Sequence, residues 1–179
     1  MSRYCPVEAV VIDTRAVGEA DMVIALYTKE YGRIDAYAKS IRKMGAKLKG
    51  ELTHFAHVQA LLVHTTHGYR IVDAQGVAAI AHSPRAYFFG AKLADFFSRL
   101  VRESEEDPIL WDFVRTFFAN RIGLPTSFEA LLNAKSQLLQ HMGYADETHI
   151  HTEADITRVL QANHITYTAV SQANGNMFK

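Results

Sequence analysis

The sequence predicts an α+β protein, a small β-barrel followed by a helical domain, and three observations carry that prediction. Between Val7 and about Ala74 the chain consists of short β-branched and aromatic runs broken by glycine. From Ser83 onward the apolar residues recur at helical steps of three and four. Between the third and fourth β runs lies a glycine-bounded stretch crowded with lysine and arginine, and it is the part of the chain that asks for a partner.

The strands are taken in order. The segment EAVVIDTRA (Glu8 to Ala16) is a near-continuous apolar run, and Gly18 separates it from DMVIALYT (Asp21 to Thr28). Tyr31-Gly32 makes the next turn. The run RIDAYAK then alternates, with Ile34, Ala36 and Ala38 on one face and Asp35, Tyr37 and Lys39 on the other. After the basic loop, LTHFAHVQALLVHT (Leu52 to Thr65) reads as a long strand, and Thr66-His67-Gly68 as a hairpin turn into YRIVDAQ. Five short strands are too few for two broad sheets, and the common barrel of that size is the five-stranded OB-fold. The expected division is an OB-fold domain over 1–80 and an α-helical domain over 81–179.

Ser83-Pro84 and Asp107-Pro108 are cap-then-proline helix starts. The first launches a stripe of Phe89, Leu93, Phe96 and Leu100. The second launches Ile109, Phe113 and Phe117 with Leu110, Val114 and Phe118 beside them. Thr126-Ser127-Phe128-Glu129 reads as a capping box for a third helix through Leu131, Leu132, Leu138, Leu139 and Met142, ended by Gly143. A fourth, weaker helix runs from about Ala154 to Ala162. The remainder, HITYTAVSQANGNMFK, adds a short strand or frays. The barrel and the helices are expected to pack closely, because the helical apolar surface is broad.

With 49% hydrophobic and 21% charged residues among 179, the chain can bury a real core. Its nineteen basic and nineteen acidic residues cancel, but their distribution is uneven. From Lys29 to Gly50 seven basic residues face two acidic ones, whereas from Val101 to Lys179 ten carboxylates face six basic residues. A loop as positive as the first stretch repels itself, and a polyanion whose condensed counterions are released on binding is the physical reason to keep it. The alternative is a solvated surface loop. A single cysteine, Cys5, excludes an intrachain disulfide and fits a reducing compartment. The apolar runs fall short of a membrane span, and the start lacks a signal-peptide pattern, so a cytoplasmic protein is expected.

Nine histidines raise the possibility of a metal site. His54, His57, His64 and His67 lie on or beside one strand, but odd and even positions point to opposite faces. His149-Ile150-His151 likewise stands without a carboxylate or cysteine at a ligand spacing. There is no glycine-flanked serine elbow, and GAKLKG (Gly45 to Gly50) lacks the Walker spacing. No catalytic residue, metal or cofactor is expected, and a histidine-based metal enzyme is the least favoured reading. A barrel that binds single-stranded nucleic acid needs cations along the phosphates and flat side chains for the bases. Lys39, Arg42, Lys43, Lys47 and Lys49 supply the first, with Arg33 as a weaker candidate. Tyr37 beside the loop is a candidate for the second, with Tyr27 and Tyr31 near it in sequence. Packing at the barrel rim is the alternative for each tyrosine.

These residues also carry a resemblance. Glu8 to Ile12, Gly18-Glu19-Ala20-Asp21, Tyr27-Thr28-Lys29-Glu30-Tyr31-Gly32 and Ala38-Lys39-Ser40-Ile41-Arg42-Lys43 keep the order and spacing of the opening of the RecO family of DNA repair and recombination mediators. LKGELTHF and the helix FEALLNAKSQLLQHMGY are similar to later segments of that family. The resemblance implies an OB-fold before a helical domain and binding of single- and double-stranded DNA. It also implies strand annealing, and displacement of single-stranded DNA-binding protein so that RecA can load, in concert with a RecR-like partner. The family's DNA-contacting region falls on Lys39, Arg42, Lys43, Lys47 and Lys49. The four-cysteine zinc site of many members is absent. Leu132-Asn133-Ala134 replaces the arginine and aromatic that grip the acidic tail of the single-stranded DNA-binding protein, and the chain ends early for the family. A second reading is an adaptor of the same fold that binds a RecR-like protein with little DNA contact of its own.

Overall fold

The computed structural model describes residues 4–77, 83–101, 106–119, 123–146, 150–163 and 165. Five strands, β1 (Tyr4–Val17), β2 (Asp21–Thr28), β3 (Gly32–Ala38), β4 (His57–Thr65) and β5 (Gly68–Gly76), close into a barrel in the order β1-β2-β3-β5-β4. The pairings are antiparallel except β3 with β5, which run parallel through Ala36↔Tyr69 and Tyr37↔Arg70. This is the α+β, OB-type barrel the sequence predicts.

The near-continuous apolar run of β1 has a structural cause, because both of its faces are covered. Val7, Ala9 and Val11 fill the barrel, while Val10 and Ile12 point outward into a second core shared with the helices. β2 repeats the pattern, with Ile24 and Leu26 inside and Tyr27 outside. β1, 14 residues long, pairs with both β2 and β4, and a bulge between Val11 and Asp13 bends it.

The long strand expected from Leu52 begins later, at His57. Phe55 takes a left-handed φ of 67°, its N–H donates to the Val11 carbonyl at 2.8 Å, and the Val11 N–H donates to the Ala56 carbonyl at 2.9 Å. That kink turns the Phe55 ring out of the barrel to stack on Phe118, while Leu52 stays in the barrel core.

Four helices follow: α1 (Pro84–Leu100), α2 (Pro108–Phe117), α3 (Phe128–His141) and α4 (Glu153–Ala162). Ser83 and Asp107 cap α1 and α2 ahead of their prolines. The cap of α3 is Ser127, whose hydroxyl accepts from the Ala130 N–H at 3.1 Å, and not a box begun by Thr126. The capping box belongs instead to α4, through Thr152 and Asp155. The Thr152 hydroxyl, then the His151 N–H, hold the Asp155 carboxyl below its usual range. Beyond Ile165 the terminal stretch lies outside the described residues, so the strand-or-fray expectation is not addressed.

Barrel and helices share one core. The sole tryptophan, Trp111, stacks on Tyr27 with ring centres 6.5 Å apart and meets His57 edge-on at 6.3 Å. Tyr27 also meets Phe97 at 5.3 Å. Trp111 takes the buried place the pattern gave to Ile109, which is 55% exposed in the first turn of α2. α1 comes close to the loop before α3 at Gly90, where a Cβ would lie 2.8 Å from a Leu124 methyl. Among the described residues, one charge is buried in the helical half. Lys135, 5% exposed, pairs with Glu153 at 2.7 Å and lies 5.2 Å from the centre of the Phe96 ring.

Because this core spans both halves, Trp111→Ala should lower stability by about 3–5 kcal/mol, and barrel and helices should still unfold in a single urea transition by circular dichroism. Ile109→Ala, two residues away on the exposed side of the same helix, should change stability by no more than about 0.5 kcal/mol.

Candidate nucleic-acid interface

The basic loop, residues 39–56, leaves the end of β3 and crosses to β4. Its backbone is fixed by apolar pins and hydrogen bonds. Ile41 and Leu52 are buried in the barrel core and Leu48 packs against it. A single 3-10 turn forms at Lys47–Lys49. Beyond the turn, the Glu51 carboxylate accepts from the Gly76 N–H at 2.7 Å and ties the loop to the end of β5. Between these pins Lys39, Arg42, Lys43, Lys47 and Lys49 are all exposed. Among the described residues none of the five is ion-paired to a carboxylate.

The start of the loop is held by the turn between β1 and β2. Asp21, first residue of β2, accepts from the Ser40 N–H at 2.6 Å through Oδ1 and from the Tyr37 hydroxyl through Oδ2. The Arg42 N–H donates to the Ala20 carbonyl at 2.9 Å, and Arg42 Nη1 to the Gly18 carbonyl at 3.2 Å. Ser40 sits at a left-handed φ of 57°, which turns the chain out of β3. The Tyr37 hydroxyl, then the Ser40 N–H, hold the Asp21 carboxyl below its usual range, with Lys39 and Lys43 adding smaller contributions of the same sign. The same hydrogen bond raises the Tyr37 phenol above its ordinary value.

Arg33 stands apart from these residues. Its Nη1 donates to the carbonyls of Ser98 at 2.6 Å and Val101 at 2.7 Å, so its guanidinium caps the C-terminus of α1 against the barrel. Tyr27 is fully buried beneath the helices, while Tyr31 is exposed. Tyr37 is half-buried, its ring set on the outer face by the Asp21 bond.

Sequence reasoning passed over two residues here. Asp21 positions the loop, and the acid closing the Gly18-Glu19-Ala20-Asp21 turn was the available signal. Met44, fully exposed at the loop tip beside Gly45 (φ 79°), offers an apolar surface next to Lys43.

Two of the histidines pair with acids that are remote in sequence. His57 Nε2 lies 2.8 Å from Glu8 and His54 Nε2 lies 3.4 Å from Asp13. Among the described residues no cluster of three His, Cys, Asp or Glu side chains is arranged to hold a metal ion, and no helix is long and apolar enough to cross a membrane. His149 lies outside the described residues.

Residues 1–80 match the family described as Recombination protein O N terminal. Among similar curated proteins is the DNA repair protein RecO of Nocardioides sp., 28% identical over 106 residues, covering 57% of this chain and 43% of that protein. The DNA repair protein RecO of Bifidobacterium adolescentis is 32% identical over 74 residues, 41% of this chain and 30% of that protein. Its counterpart in Bifidobacterium animalis subsp. lactis is 34% identical over 74 residues, 41% of this chain and 31% of that protein. The matches thus span less than half the length of these relatives.

The Asp21 contacts have a pH signature. A depressed carboxyl pKa means that the contribution is complete above the usual carboxylate range and is lost as pH falls through the lowered value. The raised Tyr37 phenol keeps its proton past the ordinary tyrosine range, so its contribution fades only as pH rises through that higher value. The Ser40 amide resonance should therefore titrate with an acid midpoint below that of an ordinary aspartate, and the titration should vanish in Asp21→Asn.

Proposed function

We propose, from the premise that this chain is a RecO-family member over its N-terminal barrel, that it is a DNA-binding recombination mediator in DNA repair. In this reading residues 1–80 form the DNA-binding domain, with Lys39, Arg42, Lys43, Lys47 and Lys49 as phosphate contacts and Tyr37 as a flat surface beside them. Arg33 supports the site through α1 rather than touching DNA. Residues 81–179 form a helical domain that buttresses the barrel. The protein binds single- and double-stranded DNA, anneals strands, and assists RecA loading on strands coated by single-stranded DNA-binding protein, together with a RecR-like partner.

The observation that carries the reading is the set of five exposed cations, free of ion pairs among the described residues, on a backbone already fixed by Ile41, Leu48, Leu52 and Asp21. Desolvating such groups against phosphate breaks no internal ion pair with a described carboxylate, and the ordering cost of the loop is met on folding rather than on binding. Each cation that replaces a condensed counterion adds to the entropy of release. The sequence of the bases is not read by such contacts, which suits a protein that must act on any strand.

If the five cations contact single-stranded DNA, log K should fall against log salt with a slope of about −3.5. The variant Arg42→Ala, Lys43→Ala should reduce that slope by about 1.4 and leave the melting temperature nearly unchanged. Fluorescence anisotropy with oligonucleotides at several salt concentrations measures both. A slope that stays the same in the variant would remove the loop from the interface.

A further inference from the structure

The strand register places two further arginines beside the loop. Arg15 of β1 is opposite Val23 of β2, Val23 is opposite Tyr37 of β3, and Tyr37 is in register with Arg70 of β5. Residues in register on neighbouring strands share a face of the sheet. The residues alternating with them, Ile24, Ala36, Ala38, Tyr69 and Ile71, belong to or pack on the barrel interior, so Arg15, Val23, Tyr37 and Arg70 form one transverse row on the outside. Arg15 and Arg70 are both exposed, and neither is ion-paired among the described residues.

The row adjoins the loop. Asp21, which holds Tyr37 and Ser40, is paired with Val17, two residues beyond Arg15 on β1, and Arg42 is bonded to the turn that follows. Three strand spacings of about 4.8 Å separate Arg15 from Arg70, roughly 14 Å measured along the sheet. That is about four phosphates at the 3.4 Å axial spacing of one strand of duplex DNA. Carboxylates bound the row on one side. Asp13 lies two residues before Arg15 and is engaged by His54, and Asp35 lies exposed two residues before Tyr37. Asp73, exposed three residues after Arg70, lies on the other side of the row at its β5 end, so a polyanion is favoured along the Arg15–Tyr37–Arg70 row and, at the β1–β3 end, toward the loop, and is disfavoured toward the helices.

We infer that the DNA-binding surface extends from the basic loop onto the barrel wall, with Arg15 and Arg70 contacting the sugar-phosphate backbone on either side of Tyr37. This inference rests on the DNA-binding reading above, and its test separates the two. Arg15→Gln, Arg70→Gln and the double variant are titrated with a fluorescent single-stranded oligonucleotide across a salt series. Wild type, the loop variant Arg42→Ala, Lys43→Ala, and Arg99→Gln on α1 run in parallel.

Each single variant should reduce the salt slope by about 0.7 and the double variant by about 1.4, with melting temperatures within a degree or two of wild type and Arg99→Gln unchanged. A slope that falls in the loop variant but not in the Arg15 and Arg70 variants would overturn this inference alone. Salt-independent or absent binding by wild type would overturn the underlying reading. A slope lowered in Arg99→Gln as much as in the double variant would also overturn the inference, because the effect would then be one of overall charge.

Discussion

The structure depends on the burial of β1 and β2 from both sides. Inside the barrel Val7, Ala9, Val11, Ile24 and Leu26 meet one another, and outside it Val10, Ile12 and Tyr27 meet Trp111, Phe97 and their neighbours on the helices. A barrel of this size with one wet outer surface would hold a small core. Covering one flank enlarges the core, but it also decides which surface remains available. Tyr27 and Arg33, at one end of the β2–β3 pair, are enclosed by the helices or bonded to α1. Val23 and Tyr37, at the other end of the same pair, are only half-buried. The position of the helical domain thus leaves the loop end of the barrel uncovered.

At that end the chain alternates between pinning and presenting. Ile41, Leu48 and Leu52 turn inward, and Lys39, Arg42, Lys43, Lys47 and Lys49 are left outside. A charged loop of this length would ordinarily extend under self-repulsion. Three apolar contacts and the Asp21 and Glu51 hydrogen bonds oppose that. Asp21 has a second effect, because its carboxylate lies near enough to Lys39 and Lys43 to feel their charge yet within 4 Å of neither. It relieves repulsion at the base of the loop without spending a cation in an ion pair.

Much of this was legible in the sequence. The alternation of Ile34, Ala36 and Ala38 with Asp35 and Tyr37 assigned the faces of β3 correctly, and the cap-then-proline pairs located α1 and α2 to the residue. What sequence patterns missed shares one cause, namely contacts between residues far apart in the chain. Leu52 to Ala56 has the composition of a strand, but the bond from Phe55 to Val11 and the demand of the helical core for a ring override local propensity. Arg33 and Tyr27 look like surface groups when only the strand is considered, and it is α1 and α2 that bury or engage them. His54 and His57 lack acidic neighbours in sequence and gain them across the sheet from Asp13 and Glu8. The outer row of Arg15 and Arg70 is invisible in the same way, because it exists only once the register is known.

A chain with a formal net charge of zero is an unobvious candidate for a polyanion, and the resolution lies in pairing rather than in totals. In the helical half several carboxylates are already engaged. Glu153 holds Lys135, Asp95 holds Arg99, Asp107 caps α2, and Asp155 both caps α4 and meets Arg158. The loop cations have no such partners among the described residues. Acidic groups bound within a helix terminus or an ion pair project a weaker field than free ones, whereas unpaired exposed cations project their full screened charge within about a Debye length, roughly 8 Å at physiological salt. A polyanion approaching within that distance therefore meets a positive barrel end and a helical half of net negative charge. That contrast would orient a polyanion before any contact forms, and it is how a protein of zero net charge presents a cationic surface.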